Sequence, residues 1–122
     1  MLKHIAALSM AFGAFALPAA AQDAAAIAKV QAGKSCAGCN LFQADLTYRD
    51  GKKMNLSGAR LRQSDLSLAT YDDVNLSNAN LSLANLFGAR YNRANFKNAN
   101  LQNATADGTF IGSTDLSGAA LS

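Results

Sequence analysis

Several residue types that usually carry catalysis or bind metals are missing from this sequence. Glutamate and tryptophan do not occur, and the one histidine, His4, lies close to the N-terminus. Imidazole and carboxylate side chains supply most general bases and many metal ligands in enzymes. We therefore expect no catalytic residue, no cofactor and no metal centre, and predict that the protein is not an enzyme.

Other scarcities limit the class of fold. Proline occurs once and glycine nine times in 122 residues, too few for a collagen-like chain or a flexible linker. Aromatic residues make up 7% of the chain, so small and branched aliphatic side chains must build the core. The formal net charge of +3 is too weak for strong nucleic-acid binding by itself. These features predict one small domain that does not bind nucleic acid.

Residues 1–21 have the pattern of a secretory signal peptide. Lys3 and His4 precede an apolar run of 13 residues, 5–17, and three alanines end the segment at Ala21. The apolar run is shorter than the roughly 20 residues that cross a bilayer as a helix. We expect cleavage near Ala21, no stable membrane insertion after it, and a periplasmic location.

A period of five residues runs from residue 34 to the C-terminus without a slip. Every fifth position from Cys36, which we name the central position, is Leu in 11 of 18 repeats. The position two residues earlier is Ala in 10 of 18 repeats, and the position between them is Asn or Asp in 11. Neither a 3.6-residue helix nor a two-residue strand alternation produces this pattern, which indicates a tandem repeat.

The repeats resemble those of the pentapeptide repeat family, whose unit reads Ala, Asp or Asn, Leu and two variable residues. Residues 79–81 and 99–101 both read Ala-Asn-Leu and match this unit directly. The resemblance implies an all-β fold over residues 34–122, a right-handed quadrilateral parallel β-helix with four repeats in each coil. The central residue and the small residue before it would point inward, and coils would stack at about the 4.8 Å spacing of paired strands.

Residues 22–33 predict a short helix that caps the first coil. The segment is rich in alanine, begins with Asp23 as an N-cap candidate and ends at Gly33. We therefore divide the chain into a leader over 1–21, a helical cap over 22–33 and a β-helix over 34–122.

With four repeats in each coil, residues twenty apart stack in columns. One interior column is unusual because it contains no Leu; it reads Gly51, Tyr71, Tyr91, Ile111. We expect the two tyrosine rings to stack one coil apart, with the space over Gly51 relieving their bulk. Their hydroxyls should reach solvent or a backbone group at a corner.

The same stacking gives expectations for the outer surface. The least regular repeat, residues 49–53, predicts a protruding turn or bulge. Ion pairs are expected from Lys52 to Asp72, and from Lys53 through Asp73 to Arg93. The recurring Asn and Asp residues should bond neighbouring backbone at the corners and form ladders between coils.

Cys36 and Cys39 have the spacing of a redox-active pair, and three interpretations remain open. An oxidising compartment favours a structural disulfide. Both cysteines occupy inward positions of the repeat, which also fits two buried, reduced thiols. A catalytic pair would require a thioredoxin-like βαβ context, which a β-helix lacks.

Two surfaces are candidates for contact with partners. Most outward positions are Ser, Asn, Gln or Gly, and four large apolar side chains stand out as a partner patch: Tyr48, Leu68, Leu83 and Phe87. The repeat also continues to the last residues without a capping segment. An open coil edge at Leu116, Ala119 and Leu121 predicts end-to-end homodimerisation, by analogy with other family members.

These observations predict an exported, non-catalytic structural or protein-interaction module. A thiol redox protein that uses Cys36 and Cys39 is the alternative. The resemblance also implies a third function, gyrase binding by DNA mimicry, which is known for some family members. That function needs a strongly acidic surface, whereas this chain is basic.

Overall fold

The computed structural model describes residues 22–122, so the predicted leader, residues 1–21, lies outside the described residues. The described chain pairs with itself through 13 isolated parallel β-bridges, and each bridge joins residues twenty apart. The first is Asn40 to Arg60 and the last is Asn100 to Ala120. Four pentapeptides therefore make one coil, as the resemblance to the pentapeptide repeat family implies.

Each coil has four faces, which we number by their central positions. Face 1 holds positions 41, 61, 81, 101 and 121; face 2 holds 46, 66, 86 and 106. Face 3 holds 51, 71, 91 and 111; face 4 holds 36, 56, 76, 96 and 116. The residue that forms the bridge stands immediately before the central residue on every face.

A tight turn follows each central residue. In the repeat at Leu41, for example, the Ala44 N–H donates to the Leu41 carbonyl at 3.1 Å. The third residue of the turn, Gln43, has a φ of 55°, as type II turns require. The residue at this turn position has a left-handed backbone in successive repeats. In some repeats it is a glycine, namely Gly38, Gly58, Gly88, Gly108 and Gly118, and in the others it is a residue with a side chain.

The interior is filled by the central residue and by the small residue two positions before it. Leu61, Leu81, Ala59 and Ala79 are buried to 1% exposure or less. Burying one Leu side chain contributes roughly 1.5–3 kcal/mol, so the repeated Leu supplies most of the apolar free energy. The Leu and Ala alternation thus sets both the fold and its narrow interior.

Helix α1, Ala24–Gln31, covers the first coil. The Asp23 carboxylate accepts the Ala26 N–H at 3.1 Å and caps the helix N-terminus. Ile27 and Val30 are buried and belong to the same core as the coils. The Gln31 side-chain amide donates to the Asp45 carbonyl at 2.8 Å, which ties the helix C-terminus to the coil edge.

The expected bulge at residues 49–53 is wrong. The bridge from Asp50 to Thr70 is regular, and the Gly51 N–H donates to the Thr70 carbonyl at 2.8 Å. Pairing between coils uses backbone groups, so an unusual side chain does not interrupt it. The missing side chain is replaced instead by the Tyr71 ring, which fills the space where a Cβ at Gly51 would lie.

The Asn and Asp side chains bond backbone as expected, but they do so within their own repeat. The Asn75 Oδ1 accepts both the N–H and the hydroxyl of Ser77, at 3.0 and 2.7 Å. The same bond from the bridge residue to the N–H two residues later recurs at Asn55, Asn80, Asn85, Asn95 and Asn100. These are Asx turns that stabilise corners, and the predicted side-chain ladder between coils is wrong.

The stacked tyrosines confirm one expectation and correct another. The Tyr71 and Tyr91 ring centroids lie 5.8 Å apart with an interplanar angle of 14°. Their hydroxyls, however, are buried and have no hydrogen-bond partner among the described residues. The expected contact of the hydroxyls with solvent or a corner is therefore wrong. Burial raises the pKa of both phenols well above the usual value.

Replacing either buried tyrosine by Phe should increase the stability of the protein. A buried hydroxyl without a partner costs about 1–3 kcal/mol, and Phe keeps the ring stacking. Tyr71→Phe and Tyr91→Phe should therefore raise the free energy of unfolding in urea. Tyr48→Phe is the control, since the Tyr48 side chain is exposed and should leave stability unchanged. Destabilisation by both buried substitutions would show that the hydroxyls have partners in solution.

Candidate interaction surface

Three of the four predicted patch residues meet at one corner of the solenoid. Tyr48, Leu68 and Phe87 lie in the turns of face 2 on successive coils and are 75%, 42% and 50% exposed. The Leu68 N–H donates to the Phe87 carbonyl at 2.8 Å, so these two residues lie on adjacent coils. We name Tyr48, Leu68 and Phe87 the apolar corner. Leu83 is also exposed, but it lies in a turn of face 1 and not in the same column.

A glycine makes room for the apolar corner. A Cβ built at Gly88 would lie 2.7 Å from the Leu68 Cδ2 atom, so the leucine side chain rests on the bare backbone of the next coil. This contact holds Leu68 in one place although nearly half of its surface is exposed. The corner is therefore a fixed apolar surface on a backbone that hydrogen bonds hold rigid.

Three exposed apolar residues occupy left-handed backbone. The φ angles of Tyr48, Leu68 and Leu83 are 57°, 58° and 60°. This conformation costs a bulky residue roughly 1–2 kcal/mol, whereas Gly and Asn tolerate it. Sequence reasoning missed this strain, although the glycines at the same offset in other repeats were the available signal.

Charged side chains of face 3 lie beside the corner and neutralise one another. The Asp73 carboxylate accepts two bonds from the Arg93 guanidinium, at 2.9 and 3.0 Å, which confirms the predicted Asp73–Arg93 pair. The bonds from Arg93 hold the pKa of Asp73 below its usual value. No ion pair joins Lys53 to Asp73 among the described residues; the Lys53 charge acts on Asp73 only at a distance.

The predicted pair between Lys52 and Asp72 is wrong. Asp72 is 4% exposed and instead binds Arg90, with an N–O distance of 3.0 Å. Its Oδ1 atom also accepts the Asn92 N–H from the next coil at 2.9 Å. Burial demands several donors for a carboxylate, and a guanidinium with a backbone amide meets that demand better than a flexible ammonium. Lys52 lies 3.9 Å from Asp50 in its own repeat.

The two cysteines form a disulfide across the first turn. Cys36 and Cys39 are bonded with their Cα atoms 5.5 Å apart, and the Cys39 N–H donates to the Cys36 carbonyl at 3.3 Å. Cys36 is buried, and Cys39 is partly buried against the core. The bond joins the two positions that Leu and Ala occupy in a regular repeat, at the coil beneath α1.

The last coil leaves part of the interior uncovered by the described residues. A cavity of about 240 Å³ opens there, lined mostly by apolar side chains that include Phe96, Ile111 and Leu121. Leu121 is 62% exposed, whereas Leu116 and Ala119 are partly buried and pack against the core. Phe110, at an outward position of the repeat, is also exposed. Ile111 is exposed as well, although its column predicts an inward side chain, because that prediction assumes a neighbouring coil on both sides.

Residues 22–122 hold no cluster of acidic, cysteine or histidine residues suited to a metal ion. The only helix described there, α1, is too short to traverse a bilayer.

The pairing pattern defines the protein as a solenoid of parallel pentapeptides. The family model described as pentapeptide repeats (8 copies) matches the chain over residues 35–70, 55–90 and 79–118. The protein belongs to the pentapeptide repeat family, whose members are built on a structural repeat.

Several solved structures are similar to this chain. Alr5209, a pentapeptide repeat protein from Nostoc PCC 7120, is 31% identical, with 67% of this chain and 79% of that chain covered and a TM-score of 0.56. HetL, a pentapeptide repeat protein involved in heterocyst differentiation regulation in Nostoc PCC 7120, is also 31% identical; 70% of this chain and 48% of HetL are covered, with a TM-score of 0.35. QnrB1, a plasmid-mediated fluoroquinolone resistance protein, is 16% identical over 71% of this chain and 53% of its own, with a TM-score of 0.46. This chain thus spans about half of HetL and of QnrB1, and no curated protein matches it.

Proposed function

We propose that the protein is an exported, non-catalytic protein-interaction module that binds a partner protein through the apolar corner. The right-handed quadrilateral β-helix acts as a rigid support for that surface. The observation that carries the proposal is the placement of Tyr48 and Leu68, which are bulky, exposed and left-handed at once. A periplasmic location rests on the leader pattern of residues 1–21.

Backbone strain at an exposed apolar residue favours a binding role over a structural one. Gly88 and Asn78 hold the same turn position in other repeats, with no exposed apolar side chain and lower strain. Leu68 therefore costs conformational energy and exposes apolar surface, and the fold gains little in return. A partner that buries Leu68 and Phe87 would remove the exposed apolar surface, and the free energy of that burial would offset the conformational cost.

The alternative functions have less support. A redox pair needs a reactive sulfur open to attack, but Cys36 is buried beneath α1 and Cys39 is partly buried. A DNA mimic needs a continuous acidic surface, whereas Arg90 and Arg93 lie beside the carboxylates of face 3. The disulfide fits a structural role at the first coil.

Leu68→Asn should abolish partner binding without weakening the fold. Asn tolerates the left-handed turn, so the free energy of unfolding should stay the same or rise by up to about 1 kcal/mol. Gln63→Asn is the matched control, because Gln63 holds the same turn position with a φ of 59° on face 1. Urea unfolding measures the stability of both variants.

Binding is measured by crosslinking in living cells with a photoreactive residue at Ser67, between the corner side chains, or at Ser77 on face 4. One partner captured from position 67, lost in Leu68→Asn and kept in Gln63→Asn, is the expected result. Equal capture from both faces, or capture that survives Leu68→Asn, would contradict the proposal.

We also propose self-association through the C-terminal coil, which the open cavity and the exposed Leu121 favour. Light scattering should then give the mass of a dimer. Leu121→Asp should return the mass to that of a monomer, because it places a charge against the partner's apolar interior. Ser117→Asp adds the same charge on the outer surface and should leave the dimer intact. A monomer mass at every concentration of the wild-type protein would contradict this second proposal.

A further inference from the structure

The hydrogen bonds between coils have a direction. In each pentapeptide, two N–H groups point toward the C-terminal end of the stack, as when Leu61 donates to Asn80 at 2.7 Å and Gln63 donates to Ser82 at 3.0 Å. One N–H points the other way, as when Asn80 donates to Ala59 at 3.0 Å. Each pentapeptide therefore gives two donors and one acceptor to the coil after it, and two acceptors and one donor to the coil before it.

This direction makes the two ends of the solenoid chemically different. At the N-terminal edge, the repeat pattern aims carbonyls away from the stack at Asp45, Thr47, Asp50 and Lys52. At the C-terminal edge, the same pattern aims N–H groups outward at Ala106, Gly108, Ile111 and Ser113. None of these four N–H groups has a backbone acceptor among the described residues. The N-terminal edge is thus rich in acceptors, and the C-terminal edge is rich in donors.

Helix α1 covers the acceptor-rich edge and supplies donors to it. Gln31 donates its side-chain amide to the Asp45 carbonyl at 2.8 Å. Gln22, just before α1, donates to the Gln43 carbonyl of the neighbouring turn at 2.8 Å. Ile27 and Val30 close the apolar interior of the first coil. The cap therefore occupies both the polar and the apolar parts of this edge.

We propose that the two ends of the stack are complementary docking surfaces for a second copy of this chain, and that α1 blocks their pairing. Without α1, the donor-rich edge of one copy would continue the hydrogen-bond pattern onto the acceptor-rich edge of the next. Such a head-to-tail contact never closes, so copies would add into an open filament. The cap restricts the protein to closed assemblies.

This inference does not depend on the proposed partner binding. It uses the same C-terminal edge as the proposed dimer, so the two contacts compete, and head-to-tail pairing is favoured once the cap is lost because only it adds backbone hydrogen bonds. A tail-to-tail dimer sets two donor-rich edges against each other, so it must rest on apolar contact such as that of Leu121. Head-to-tail growth uses backbone pairing between unlike edges. Loss of the cap should strengthen only the second kind of contact.

The test introduces two charged residues into the buried face of α1, so that the cap detaches while the rest of the protein stays intact. Ile27→Asp with Val30→Asp should undock α1, because both side chains lie in the core. The mass from sedimentation velocity should then rise with concentration without a plateau, and electron microscopy should show thin filaments. Ala25→Asp with Ala28→Asp puts the same two charges on exposed positions of α1 and should keep the wild-type mass. A folded, uncapped variant that keeps the wild-type mass would overturn the proposal.

Two further variants separate filament growth from misfolding. Adding Ile111→Asp to the uncapped protein places a charge on the opposite edge and should stop the growth; growth that persists would overturn the head-to-tail contact. Gln31→Ala removes one cap donor without touching the core and should increase the assembled fraction relative to Gln102→Ala, an exposed glutamine of face 1. Equal assembled fractions in these two variants would count against the role of the cap.

Discussion

Backbone hydrogen bonds between successive coils are the interaction on which the rest of this structure depends. Each coil contributes single-residue bridges instead of long strands, so no face is stable without the coil above or below it. The bonds recur with a fixed offset: a central N–H such as that of Leu41 donates to the carbonyl 19 residues later, at 2.8 Å. This offset keeps side chains twenty residues apart in register.

This register explains why few residue types occur at the inward positions of the repeat and many occur at the outward positions. Leu61 and Leu81 lie one coil apart, in a space too narrow for two large side chains on one face, so the paired position is Ala or a similar small residue. Outward positions meet solvent and vary without cost. The exceptions are Tyr48, Leu68 and Leu83, whose left-handed backbone makes a bulky side chain unfavourable. Their presence is therefore the strongest sign of a role beyond folding.

The period of five could be predicted from the sequence, because it follows from the phase of Leu and Ala. The coil of twenty residues was implied only by the resemblance to the pentapeptide repeat family. The tyrosine stacking followed from that coil length. The prediction of a bulge at residues 49–53 was wrong because irregular side chains do not imply an irregular backbone. The pairing between coils uses backbone groups alone. The partner of Asp72 was missed because column arithmetic ignores diagonal neighbours such as Arg90.

The candidate interaction surface was only partly predictable. Tyr48, Leu68 and Phe87 stood out by composition, and stacking placed them at one corner. The left-handed φ at Leu68 required turn geometry, which a single sequence does not report. The donor and acceptor character of the two ends also required the direction of each hydrogen bond, since the residue types are alike at both edges.

Amide hydrogen exchange measured residue by residue tests the dependence on the coil-to-coil bonds most directly. Amides that bond the neighbouring coil, such as those of Leu61, Gln63 and Asn80, should exchange slowly and with similar protection, in a five-residue rhythm. The Arg62 N–H should exchange fast. The bridge residue two positions before it is Arg60 instead of Asn or Asp, so this N–H has no Asx acceptor in the described structure. Protection that follows burial of the side chains, with no five-residue rhythm, would contradict the claim that the coil-to-coil ladder holds the fold.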